Sequence, residues 1–143
     1  MPYIHEVEVL PADIDRLDHA SNQVYLRWVL EAALAHSTAL GLDEDAYFAR
    51  GQAWVVRRHE LTYLKPALAG DRLRVETRVA SMAAATSVRR TRIIRPSDGA
   101  ILFEAATDWV YVELSRGRPA RIPEDVRSRF PIEPSDQSPK SRS

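Results

Sequence analysis

The chain has 143 residues, a mass of 16.2 kDa and 45% hydrophobic residues, enough for one packed domain and too many for a disordered chain. It has no cysteine, which excludes disulfides, thiolate metal centres and cysteine nucleophiles. Twenty basic residues balance twenty acidic ones, and only Lys65 and Lys140 of the basic set are not arginine, so no net field draws nucleic acid or a membrane surface.

The start, MPYIHEVEV, carries acids at Glu6 and Glu8 and no basic region, unlike a signal peptide. No run approaches the ~18 apolar residues of a membrane span. A cytoplasmic protein is the expectation. Residues 3–10 alternate and predict a half-buried strand. PADIDRLDHASN follows as a polar, irregular segment. From Val24 to Ala35 only Arg27 and Glu31 are polar, and the run continues to Leu40 before Gly41. Its Ala and Leu content predicts a helix of about four to five turns, ended by Gly41 and enclosed on nearly every side. Gln52–Leu64 predicts a strand ended by Pro66. Leu73, Val75, Thr77 and Val79 alternate with polar residues and predict the next. Thr86–Arg95 and Ala100–Leu114 flank the turn Pro96-Ser97-Asp98-Gly99. Pro123–Phe130 predicts a short helix with proline in its first turn. The five glycines stand apart and form no phosphate-cradling loop. The expected fold is α+β: four later strands joined by tight turns in an antiparallel sheet against one long helix. Residues 1–130 are expected to form one domain, and 131–143, rich in Pro and Ser, a mobile tail.

Asp13, Asp15, Asp18, His19 and Asn22 form the densest reactive cluster, just ahead of the helix. A solvated turn with an Asp or Asn helix cap is the plainest account. DIDRLD begins like a calcium loop, but Asp18 stands where glycine is needed and Val24 where the closing Glu should be. HELTY, 59–63, begins like a zinc motif but ends in Tyr63, so no metal is expected. A catalytic carboxylate is the third account. Free N–H groups at a helix start can stabilise an oxyanion beside a carboxylate acting as nucleophile or base.

DIDRLDHASNQVYLRW, 13–28, resembles the signature of the 4-hydroxybenzoyl-CoA thioesterase family of hotdog-fold proteins. RRHELTYLKPALAGDRLRVETRV, 57–79, and RTRIIRPSDGAILFEAATDWVYVE, 90–113, resemble its later strands. The resemblance covers roughly residues 4–130. It implies a curved antiparallel β-sheet wrapped around one long central α-helix, the hotdog fold. It implies an acyl-CoA thioesterase needing no cofactor, with Asp15 as the working carboxylate. His19, Asn22 and Tyr25 match further family positions, and Asp18 departs from the family by replacing a glycine. The resemblance also implies a homodimer joined sheet to sheet, or a homotetramer built from two such dimers. Related alternatives are an acyl carrier protein thioesterase, a hotdog enoyl-thioester hydratase or dehydratase, and a non-catalytic acyl-thioester binding protein.

Glu31 is i, i+4 from Arg27, so a simple helix pair competes with a secondary catalytic role. His59 lies in a strand, where sheet polarity competes with a site role. Within the run Arg89, Arg90, Arg92 and Arg95, contact with CoA phosphates competes with a solvated or inter-subunit face. Alternation places Arg90 and Arg92 on one strand face and Arg89 and Arg95 on the other. Trp28, Trp54 and Trp109 are expected in the core or an interface.

Overall fold

Alternation of buried and more exposed residues from Arg72 to Val79 builds a strand that offers one apolar face to a helix. The same physics sets the other long strands in this computed structural model, which describes residues 1–134. The elements are β1 (Tyr3–Glu8), α1 (Asn22–Ala39), α2 (Glu44–Ala49), β2 (Gln52–Tyr63), β3 (Arg72–Met82), β4 (Thr86–Arg95), β5 (Ala100–Glu113), β6 (Arg118–Pro119) and α3 (Glu124–Arg127). The strands make one antiparallel sheet in the order β1-β3-β4-β5-β2, with β6 on β5. Register shifts at Val56/Arg58, Val79/Ser81 and Ile93/Ile94 mark bulges, which add twist and curl the sheet around α1. This is the expected hotdog architecture.

The strand order corrects one expectation. Among the four long later strands only β3–β4 and β4–β5 are hairpins; β2 pairs with β5 rather than with β3. Residues 64–71 therefore carry the chain across the sheet, and β2 becomes an edge. The short helix also differs from expectation: Pro123 is its N-cap, and α3 covers only Glu124–Arg127. The helix α2, with Asp43 as its cap accepting from the Ala46 N–H at 2.8 Å, was not expected at all.

The long helix ends as expected. Gly41 takes φ +84°, its N–H bonds the Thr38 carbonyl at 2.9 Å, and the Leu42 N–H reaches the Ser37 carbonyl at 2.9 Å. That paired closure satisfies two terminal carbonyls and needs a residue at ease with positive φ. The envelope around α1 is narrower than expected. Trp28, Val29, Ala32 and Ala33 are buried, whereas Leu30 and Leu34 remain exposed at the helix flank. Two clusters fill the interior. One packs Tyr25 and Trp28 against Val75, Ile93 and Phe103; the other joins Leu42, Tyr47, Val79, Tyr111 and Phe130.

Residues past 130 continue beside β3. Ile132 bridges Val79, and the Glu133 N–H donates to the Val79 carbonyl at 2.8 Å. The remainder of the expected tail, 135–143, lies outside the described residues. Among the described residues no helix is long and apolar enough to cross a membrane.

Candidate functional site

The polar segment ahead of α1 folds back on itself. The Ser21 N–H donates to the Asp13 carbonyl and the Asp15 N–H to the His19 carbonyl, both at 2.9 Å, with Ile14 bridged to Ala20 between them. Asp15 and His19 therefore sit opposite each other at the base of a tight loop. His19 holds that loop through its backbone carbonyl. At the loop tip Asp18 takes φ 62°, the one non-glycine residue with positive φ among the described residues. The departure from the family's glycine thus keeps a glycine-like backbone.

The acids of this cluster do different work. Asp13 is buried; its Oδ2 accepts from the Leu10 N–H at 2.9 Å and its Oδ1 from the Arg27 guanidinium at 3.0 Å. It ties loop to helix. Asp15 is exposed, and its Oδ1 accepts from the Leu17 N–H at 2.8 Å. That local turn orients the carboxylate and leaves Oδ2 with no hydrogen bond among the described residues.

The helix cap is Ser21, whose side chain makes no cap hydrogen bond, rather than an Asp or Asn. Asn22 is the first helical residue. The N–H groups of Asn22 and Gln23 precede the first intrahelical bond and meet no acceptor among the described residues. The Asn22 carbonyl accepts from the Tyr63 hydroxyl at 3.0 Å. Tyr63 is the residue that spoiled the zinc pattern, and only the chain's return along β2 reveals its place beside the helix. Tyr25 is buried, and its phenol oxygen accepts from the Ala67 N–H at 2.9 Å. Burial pushes the Tyr25 phenol above its ordinary value despite that hydrogen bond, with the nearby Tyr63 and Asp15 adding to the rise. Asp15, His19, Asn22, Tyr25 and Tyr63 thus gather at one end of α1.

The other expected residues lie elsewhere. Glu31 pairs with Arg27 at 3.5 Å and lies 3.9 Å from the His5 ring. His59 Nδ1 is 2.9 Å from the Thr107 hydroxyl on the helix side of the sheet, and burial lowers its pKa. Arg90 is exposed, and Arg92 pairs with Glu76 at 3.1 Å. Arg89 faces the opposite way and is buried beneath α1. Among the described residues no group of three or more His, Asp or Glu is placed to hold a metal ion.

Residues 9–130 match the model of the thioesterase-like superfamily. The chain is 26% identical over 132 residues to a chloroplastic acyl-acyl carrier protein thioesterase of Arabidopsis thaliana, covering 91% of this chain and 69% of that protein. It is 31% identical over 122 residues to a chloroplastic palmitoyl-acyl carrier protein thioesterase of the same plant, covering 80% of this chain but 29% of that protein. Its fold superposes on the crystal structure of a 1,4-dihydroxy-2-naphthoyl-CoA thioesterase from Synechocystis with a TM-score of 0.84 at 21% identity, over 90% of this chain and 95% of that one.

Proposed function

The chain belongs to the thioesterase-like superfamily and is a thioester hydrolase; from there, we propose that its substrate is an acyl-CoA and that Asp15 carries the chemistry. One observation supports this above the others. An exposed carboxylate with a free Oδ2 sits at the same end of α1 as the acceptor-free N–H groups of Asn22 and Gln23. Hydrolysis needs those two things. The carboxylate takes a proton from water, or attacks the acyl carbon itself. The helix-start N–H groups receive the negative charge that develops on the carbonyl oxygen. In the first case the hydroxide so formed adds to the acyl carbon and the C–S bond breaks, releasing the acid; in the second the C–S bond breaks as a mixed anhydride forms on Asp15, and water then hydrolyses that anhydride to the acid and restores the carboxylate. In both, CoA leaves as a thiolate that takes up the proton released. A thiol with pKa ~8.5 leaves without much help from an acid, so no general acid is required. In this proposal His19 and Tyr63 hold the loop and first helical turn in place, and Tyr25 anchors the Ala67 segment below them.

The CoA form draws support from the shared fold with the Synechocystis enzyme, and the carrier-protein form from the Arabidopsis relative. The two are separated by running acyl-CoA and acyl carrier protein substrates side by side with a free-thiol readout. Wild type is expected to release thiol from acyl-CoA. Asp15→Asn is expected to stay folded and lose about 100-fold or more in turnover. Equal rates for the two proteins would remove Asp15 from the mechanism. Hydration of an enoyl-CoA without thiol release would favour the hydratase alternative. We further propose a homodimer joined along β2, whose outer edge pairs with no strand among the described residues.

A further inference from the structure

Arg89 is a buried arginine without an acid. It lies 6% exposed beneath α1, and no carboxylate pairs with it among the described residues. Its Nη1 donates to His36 Nδ1 and to the Thr77 hydroxyl, both at 3.0 Å. Its guanidinium carbon sits 6.0 Å from the centre of the Phe130 ring. All of these neighbours are neutral. His36 must accept from Arg89, so its proton is on Nε2, and burial followed by the Arg89 charge holds its pKa down at about 4. Burial lowers the Arg89 pKa to about 10, which leaves it charged at neutral pH. Arginine is almost never this buried unless paired. Nε and Nη2 make no hydrogen bond with the described residues.

A second donor shares the same space. Trp109 Nε1 is buried with no acceptor among the described residues. Arg89 and Trp109 both line a cavity of about 300 Å³ between the second half of α1, α2 and the sheet. Its remaining wall is mostly apolar, including Leu30, Leu34, Phe48 and Trp54. The volume falls at the lower end of the range for small-molecule sites, about 300–1,000 Å³. Glu44, at the exposed rim, is the one acidic lining residue, and it does not pair with Arg89. The cavity therefore offers a cation and a spare N–H donor inside an apolar wall, and no carboxylate among the described residues pairs with either. A planar anion with several lone pairs matches a guanidinium best, and a carboxylate is such an anion.

We propose that this cavity binds a small apolar carboxylate, its head on Arg89 and Trp109 and its body along Leu30, Leu34, Phe48 and Trp54. The site is separate from the Asp15 end of α1 and does not rest on the proposed mechanism. Its ligand is either a free acid or the far carboxyl of an acyl group.

Binding of octanoate and of octanol, its neutral counterpart, is measured by calorimetry and by tryptophan fluorescence on the whole protein. Octanoate is expected to bind at least 10-fold more tightly than octanol. Equal binding of the two, or no octanoate binding, overturns the proposal without any mutant. Arg89→Met is expected to erase the preference, and a folded Arg89→Met that keeps it also overturns the proposal. Should Arg89→Met fail to fold, Trp109→Phe removes one N–H donor and is expected to weaken octanoate several-fold but not octanol. An unchanged octanoate affinity in Trp109→Phe overturns the two-donor site. Competition, with each CoA thioester replaced by its non-hydrolysable thioether analogue so that no free acid is released, then identifies the source of the carboxylate. Displacement of octanoate by a CoA thioester with a free distal carboxyl, but not by octanoyl-CoA, assigns the acyl-group form. Displacement by neither assigns the free acid. Displacement by octanoyl-CoA as well would show an apolar site indifferent to the carboxylate, and would overturn the proposal.

Discussion

At the scale of single residues, Asp18 shows how a local departure is absorbed. An L-residue at φ 62° carries a steric cost, though Asp bears it better than most. Asp18→Gly is therefore expected to stabilise the fold by about 1 kcal/mol in urea unfolding, provided the turn relaxes little. His36 makes a second point. Its folded pKa of about 4 lies below the ordinary 6.5, so the unfolded chain binds this proton first as pH falls. The stability His36 contributes is present above pH 6.5 and is lost as pH drops through about 4, by about 3 kcal/mol at most. The stability gap between wild type and His36→Gln is expected to narrow across that window. The sequence placed Asp15 and His19 ahead of the helix, where they lie, and Asn22 one residue short of its place as the first helical residue, because adjacent residues stay adjacent. It could not place Tyr63 or separate the buried, paired Asp13 from the exposed Asp15. Those distinctions depend on Arg27 reaching back across the loop and β2 returning beside it.

At the scale of elements, α1 was legible from its apolar run and its Gly41 stop, yet its two faces were not. An apolar run looks the same whether a sheet covers one side or both. Leu30 and Leu34 are apolar because they bound a cavity or an interface, not because this sheet covers them. The helix α2 was missed because six residues show little periodicity; its Asp43 cap followed by Glu44 and Asp45 was the available signal. Tyr25 joins two elements, since its phenol satisfies the fully buried Ala67 N–H in the β2–β3 connection. Tyr25→Phe keeps the ring packing on Phe103 but orphans that donor. A loss of about 1–3 kcal/mol in urea unfolding is expected.

At the scale of the molecule, the antiparallel α+β character was legible and the strand order was not. Alternation identifies strands, but no local pattern says that β2 pairs with β5 across two intervening strands. That crossing is what leaves β2 at an edge, 12 residues long. An exposed edge of that length invites pairing with a second copy. Light scattering is expected to return at least twice the 16.2 kDa of one chain. A monomer at micromolar concentration would count against the β2 interface. The opposite edge of the sheet has a consequence of another kind. Tyr3 sits beside Thr77 and Ile132 beside Val79, so both ends of the described chain lie two residues apart along β3. Pro134 can thus be joined to Met1 by a short linker, with 135–143 omitted, and the chain reopened at the exposed turn around Gly99. Such a circular permutant is expected to fold, because the order in which these strands are synthesised is not what holds them together.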